Sequence, residues 1–257
     1  MAQVHCNFFS YFLGYPVDIE LILPSFTSCN MDQPHSHVLP DKFPVLYLLH
    51  GYGNDYQAWL RYTSIQRYAE EHRIAVVTFS CHNKAYQNAP YGENFYDFLN
   101  KELPEFVENY FPISANASQR YIAGLSMGGY GALLHGLQNP ARYSAIGAFS
   151  PGIPDPGAPL DPQRAMREDL FQLTEDALRG NTTLPDLFLC IGDRDFLYQR
   201  VTKYHQAFAH RWNCSRYRYD DMPGYDHEFA FWDIEIVAFL EWIHREDSYK
   251  KLGKNKV

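Results

Sequence analysis

The stretch RYIAGLSMGGYGALLHGLQNP, residues 120–140, decides how the rest of the chain is read. RYIAGL has the make-up of a short strand, and GGYGALLHGLQNP that of a helix whose end is marked by Pro140. At their junction lies Gly124-x-Ser126-x-Gly128. Glycines at both flanks let a strand and a helix approach closely around a serine on a sharp turn. The helix N-terminus adds the positive end of a dipole where negative charge would develop. A serine hydroxyl is a poor nucleophile at neutral pH. It needs a base, a group that orients the base, and donors for the oxyanion. A bystander serine in a glycine-rich bend would have none of these downstream.

The segments on either side supply an architecture. PVLYLLHG, IAVVTFS, RYIAGL, YSAIGAFS and DLFLCIG are short apolar runs without polar alternation, which marks strands buried on both faces. Helical patterns lie between and after them, in SIQRYAEEHR, LYQRVTKYHQAFAHRW and EFAFWDIEIVAFLEWIHRE. NFYDFLNKELPEFVENYF reads as a long helix in which Pro104 forces a kink or a restart. SRYRYDDM is a further strand, while HCNFFSYFLG and VDIELILP form an opening antiparallel hairpin around GYP. Alternation of this kind predicts a mostly parallel central sheet with helices on both faces. With no repeat or linker, residues 1–257 are expected to form a single domain. Residues 151–184, rich in Pro and Asp, interrupt the alternation after the strand that follows the Ser126 helix, as a short lid-like insertion would.

Composition excludes several classes. A net charge of −8 argues against a nucleic-acid partner. Aromatic residues make up 16% of the chain, enough to fill a core and line an apolar pocket. Five cysteines without motif spacing fit reduced thiols in a cytoplasmic protein better than a disulfide framework. The first two dozen residues lack a basic start and a continuous apolar core, and no apolar run is long enough for a membrane span. The basic tail YKKLGKNKV reads as a frayed, solvated terminus.

The partners of Ser126 should follow it in the order acid, then histidine. His205 and His210 fall in one helical pattern and His244 in another, whereas His227 sits in the loop MPGYDHEF, just before the last long helix. That places His227 above the C-terminal edge of the sheet, where sites form in this architecture. HEFAFWD has no second histidine at metal spacing, and His35 and His37 have no evident third ligand, so no metal is expected. For the acid, GDRDFLY offers both Asp193 and Asp195 after a buried strand. Asp226 is a poor orienter, because neighbouring side chains in an extended loop point apart. The oxyanion donors would be the amide of Met127 and that of Tyr52, or alternatively Gly53, in LLHGYGN. His50 precedes the nucleophile and is read as structural. Trp59, Phe149, Phe196 and Phe229 are candidate pocket walls, with core packing an equal alternative for each.

Taken together, PVLYLLHGYGND, LPEFVENYFP, YIAGLSMGGYGAL, GDRDFLY and HEFAFWD resemble the esterase D group of α/β-hydrolases, most closely bacterial tributyrin and acetyl esterases. The likeness runs nearly end to end. It implies an α/β-hydrolase fold and assigns the acid to a Gly-x-x-Asp-Phe-Leu motif, matched by Gly192, Asp195, Phe196 and Leu197. His227, Glu228 and Trp232 match the group's histidine motif. The implied activity is a serine carboxylesterase that hydrolyses acetyl to butyryl esters through Ser126, His227, Asp195 and an acyl-enzyme, without a cofactor. An acetylated sugar is one substrate such a site would take, and relatives of this kind often self-associate. S-formylglutathione hydrolases of the same superfamily usually carry histidines where this chain has Leu125 and Tyr130, which counts against thioester hydrolysis. Acyl transfer by the same triad and a non-catalytic binding role are the remaining alternatives.

Overall fold

Strands that are apolar on both faces need cover on both, and the chain provides it. In the computed structural model, residues 1–31, 36–89, 92–155, 168–180, 183–212, 214 and 216–257 are described. β1 (Ala2–Phe9) and β2 (Pro16–Leu23) form the antiparallel hairpin, paired from Ala2 with Leu23 to Phe9 with Pro16. The next strands are β3 (Val45–Leu49), β4 (Ala75–Phe79), β5 (Arg120–Leu125), β6 (Ala145–Phe149), β7 (Asp186–Gly192) and β8 (Tyr217–Met222). They build one eight-stranded sheet in the order β1-β2-β4-β3-β5-β6-β7-β8. β2 pairs antiparallel with β4, and every pairing from β4 to β8 is parallel. The C-terminal ends of β3, β5, β6, β7 and β8 therefore share one edge, and the loops that leave them meet there.

Helices α1 (Ala58–Tyr62) and α2 (Ile65–His72) follow β3, and α3 (Phe95–Asp97) and α4 (Leu103–Tyr110) follow β4. α5 (Met127–Gln138) leaves β5, and α6 (Leu170–Arg179) lies in the insertion. α7 (Tyr198–Phe208), α8 (Phe229–Trp242) and α9 (Ser248–Lys251) complete the chain. Side chains alternate across a strand, and β3 shows the consequence. Val45, Tyr47 and Leu49 enter one core with residues of α4, α5 and α7, while Leu46 and Leu48 enter a second core with residues of α2 and α8.

Between α3 and α4 the residues Phe98–Glu102 form a π-helical turn. Pro104, in the first turn of α4, has no N–H to donate, and its ring would crowd the carbonyl of residue 100 in a regular helix. The widened turn is how the helix continues past it. The C-terminal tail differs from the expectation of a frayed end. Asp247 caps α9 by accepting from the amides of Tyr249 and Lys250. Beyond it, Asn255 is buried, donating from its backbone to Glu71 O at 2.8 Å and from its side chain to Glu70 at 2.7 Å. One short polar side chain with these partners anchors a tail whose charges alone suggested solvation. Within the insertion, residues 156–167 and 181–182 lie outside the described residues, so the lid expected over 151–184 is described only at its ends and at α6. No helix among the described residues is long and apolar enough to cross a membrane.

Glu235 is a buried acid on the core face of α8. Burial pushes its carboxyl up to about 8, with the charge of Asp220 adding to the effect and Arg218 opposing it. In the unfolded chain the same group releases its proton near its ordinary value of 4.5. Between these two values the folded state holds a proton that the unfolded state has lost, so Glu235 subtracts stability as pH rises through that window. The thermal midpoint of Glu235→Gln relative to wild type should therefore improve from pH 5 to pH 8. A midpoint difference that is constant with pH would contradict this.

Candidate active site

At the end of β5 the chain turns into α5 through Ser126, whose φ of 53° and ψ of −114° lie in a region that costs a side chain strain. Backbone bonds hold it on both sides. Ser126 N donates to Phe149 O at 2.9 Å, and Ser126 O accepts from Tyr130 N at 3.0 Å and Gly152 N at 2.9 Å. A Cβ on Gly124 would sit 2.5 Å from the backbone of Gly128. One on Gly128 would strike the carbonyl of Leu49 and lie 2.8 Å from that of His50. These two positions require glycine because backbone, which cannot move aside, stands where a side chain would go.

Asp195 follows β7 and is buried. Its Oδ1 accepts from Leu197 N at 2.8 Å and its Oδ2 accepts from His227 Nδ1 at 2.7 Å. A carboxylate oxygen can only accept from an imidazole, so the Nδ1 proton is fixed and Nε2 is left with its lone pair. Asp193, the other acid considered, accepts instead from Gly224 N at 2.7 Å and ties down the loop that carries His227. The turn after β7 meets that loop so closely that a Cβ on Gly192 would collide with the carbonyl of Tyr225. His227 packs against Phe196, with ring centres 4.7 Å apart, and against Trp232, 4.9 Å away and nearly perpendicular.

Ser126, Asp195 and His227 thus share the C-terminal edge of the sheet, and Asp195 and His227 are in direct contact. Among the described residues no hydrogen bond joins Ser126 Oγ to His227, and in unliganded sites such bonds are commonly long. A Cβ on Gly51 would lie 3.5 Å from the Cβ of Ser126, so the loop that carries Tyr52 runs beside the serine. Gly53 N already donates to Asn83 at 2.7 Å. Met127 is the first residue of α5, where amides have no partner within the helix.

The remaining candidates separate by environment. His50 is buried; its Nε2 accepts from Cys81 N at 3.0 Å, so its proton must sit on Nδ1, which donates to Gly51 O at 2.8 Å. Burial pulls it down to about 4, and it is a neutral fixture of the loop. Trp59 donates to Leu49 O at 3.0 Å, and both it and Phe149 are enclosed in the core, where Phe149 meets Phe188 and Phe239. Phe196, by contrast, is 76% exposed, and Phe229 packs between Trp59 and the exposed Tyr62. His210 and His244 lie just beyond the ends of α7 and α8. His35 is outside the described residues, among which no cluster of three or more His, Cys, Asp or Glu could hold a metal. Sequence reasoning passed over Ser150, which has φ 43° and accepts from Trp232 Nε1 at 3.1 Å. Its one signal was a polar residue closing the apolar run AIGAF, as Ser126 closes RYIAGL.

A mostly parallel sheet of this order, with a strained serine after β5 and an acid–histidine pair after β7 and β8, defines an α/β-hydrolase-fold serine hydrolase acting on carboxylic esters. Residues 28–243 match the family model described as putative esterase, and the chain belongs to that family. It is 27% identical over 272 residues to an acetyl esterase of Caldicellulosiruptor saccharolyticus, covering 95% of this chain and 99% of that protein. Among solved structures it is similar to the fluorophosphonate-binding serine hydrolase FphF of Staphylococcus aureus, solved with substrate bound. The TM-score is 0.81 at 27% identity, over 95% of this chain and 99% of the other. An S-formylglutathione hydrolase, FrmB, from the same organism matches with a TM-score of 0.79 at 29% identity, over 94% and 98%.

Replacing Gly128 by Ala should lower the thermal midpoint and abolish esterase activity, because the methyl group must displace the β3 backbone. Overpacking of this kind costs about 1–3 kcal/mol. A Gly128→Ala protein with wild-type melting and turnover would show that the elbow is looser than described.

Proposed function

We propose that the protein hydrolyses short-chain acyl esters, acetyl to butyryl, with Ser126 as nucleophile, His227 as general base and acid, and Asp195 as its orienter. The observation that carries this reading is the 2.7 Å bond from His227 Nδ1 to Asp195, which leaves Nε2 free to take a proton at the sheet edge that holds Ser126. Ser126 attacks the ester carbonyl as Nε2 accepts its proton. The amides of Tyr52 and Met127 take the oxyanion, and His227 returns the proton to the departing alcohol. Water then resolves the acyl-enzyme by the same path. None of these steps calls for a metal or an organic cofactor. Phe196, which packs on His227, and Phe229, which packs on Trp232, are the proposed walls for the bound ester, and acetylated sugars are the proposed substrate class to test next.

A second reading, hydrolysis of S-formylglutathione, is favoured by the similarity to FrmB. Against it, Leu125 and Tyr130 are both buried side chains in the core, not histidines.

Hydrolysis of p-nitrophenyl esters from acetate to octanoate, by wild type and Ser126→Ala, tests the proposal. The rate should fall steeply beyond about four carbons, and Ser126→Ala should lose about 10⁴-fold or more in kcat. Asp195→Asn, which disturbs the histidine tautomer, should cost on the order of 10⁴-fold. A flat chain-length profile would overturn the acyl preference, and a rate untouched by Ser126→Ala would overturn the triad. A kcat/KM for S-formylglutathione above that for every ester would favour the second reading.

A further inference from the structure

Asp195 fixes one nitrogen of His227, but a single hydrogen bond leaves the ring free to turn about that bond. Two aromatic rings pack against this ring: Phe196, which is 76% exposed, and Trp232, which is 4% exposed. Trp232 is the firmer neighbour, and its far end is tied. A buried indole N–H needs an acceptor, and Trp232 Nε1 donates to Ser150 Oγ at 3.1 Å.

Ser150 is an unusual place to anchor a side chain. It is fully buried, is the first residue after β6, and has φ 43°, a left-handed conformation in a residue other than glycine. Its amide donates to Cys190 O of β7 at 2.9 Å. The residue before it, Phe149, accepts from Ser126 N, and Gly152, two residues on, donates to Ser126 O. The short segment from 149 to 152 therefore grips the Ser126 peptide from both sides, and Trp232 holds that segment. β5 and β8 are separated by β6 and β7, so at the usual spacing of about 4.8 Å the strands that carry serine and histidine stand about 14 Å apart. The histidine loop must lean back across two strands, and its distance from Ser126 has to be set by something that spans them.

We propose that Trp232 is a positioning residue: its indole, hydrogen-bonded to Ser150 and packed against the His227 ring, sets the spacing of the imidazole from the Ser126 turn. This rests on the triad reading above. The indole N–H goes to Ser150 and not to Ser126 or His227. Trp232 acts through His227 on one side and through the 149–152 segment on the other.

The test uses Ser150→Ala, which removes only the acceptor oxygen and keeps the indole, together with Trp232→Phe and the double variant. Turnover of p-nitrophenyl acetate is measured per active site, by burst titration, beside the thermal midpoint. Because a small misplacement of a catalytic group is costly, each single variant should lower kcat about tenfold or more while KM stays within about twofold. The double variant should be no slower than the slower single, since both remove the same contact. Lower thermal midpoints with wild-type kcat per titrated site would overturn the proposal and leave the bond a packing feature. Losses that multiply in the double variant would also overturn it. Ser126→Ala and His227→Ala serve as controls. If they are inactive while the Ser150 and Trp232 variants turn over normally, the positioning role alone falls. If they retain activity, the triad falls and the positioning role with it.

Discussion

The structure depends on one strained residue. A non-glycine side chain held at φ 53°, ψ −114° costs about 1–3 kcal/mol, and such a conformation survives only where its surroundings over-determine it. Around Ser126 they do. β5 is an inner strand between β3 and β6, the backbone of Gly128 presses against Leu49 and His50, and the segment after β6 holds both sides of the serine peptide. Removing a Cβ from positions 124 and 128 is what lets α5 start so close to β3. The arrangement fixes the serine in a tight turn at the start of a helix. A relaxed serine in a wider loop could not be held there.

Two histidines show how environment assigns a role to one residue type. His50 has both ring nitrogens committed to backbone partners and is held neutral by burial, so it can only brace its loop. His227 has one nitrogen committed to a carboxylate and the other uncommitted among the described residues. Only the second arrangement can pass a proton. The difference arises from what surrounds each ring and not from its distance to the serine loop, since both lie at the same edge of the sheet.

Much of this was legible in the sequence, for identifiable reasons. A strand buried on both faces has to be apolar throughout, so β3 to β7 announced themselves, and the chain order of the fold pointed to His227. Choosing Asp195 over Asp193 needed the Gly-x-x-Asp-Phe-Leu resemblance, because both acids follow the same strand. In the structure they divide the work, one bonding His227 and the other Gly224. What the sequence hid was set by contacts between distant segments. Whether Trp59 and Phe149 wall a pocket or fill the core depends on α8 closing over them, and no local pattern records that. The anchoring of Asn255 on Glu70 and Glu71 joins the tail to α2, a contact across most of the chain. Pro104 announced an interruption but not its form, since a kink, a restart and a π turn all answer the same missing N–H.

The most direct test of the account is the site of covalent capture by a fluorophosphonate, mapped by mass spectrometry of the digested protein. One adduct is expected, on the peptide that contains Ser126, formed rapidly in the wild type and lost when His227 is replaced by alanine. An adduct on another residue, no adduct at all, or labelling of Ser126 at an unchanged rate without His227 would contradict the claim that this strained serine is the activated nucleophile.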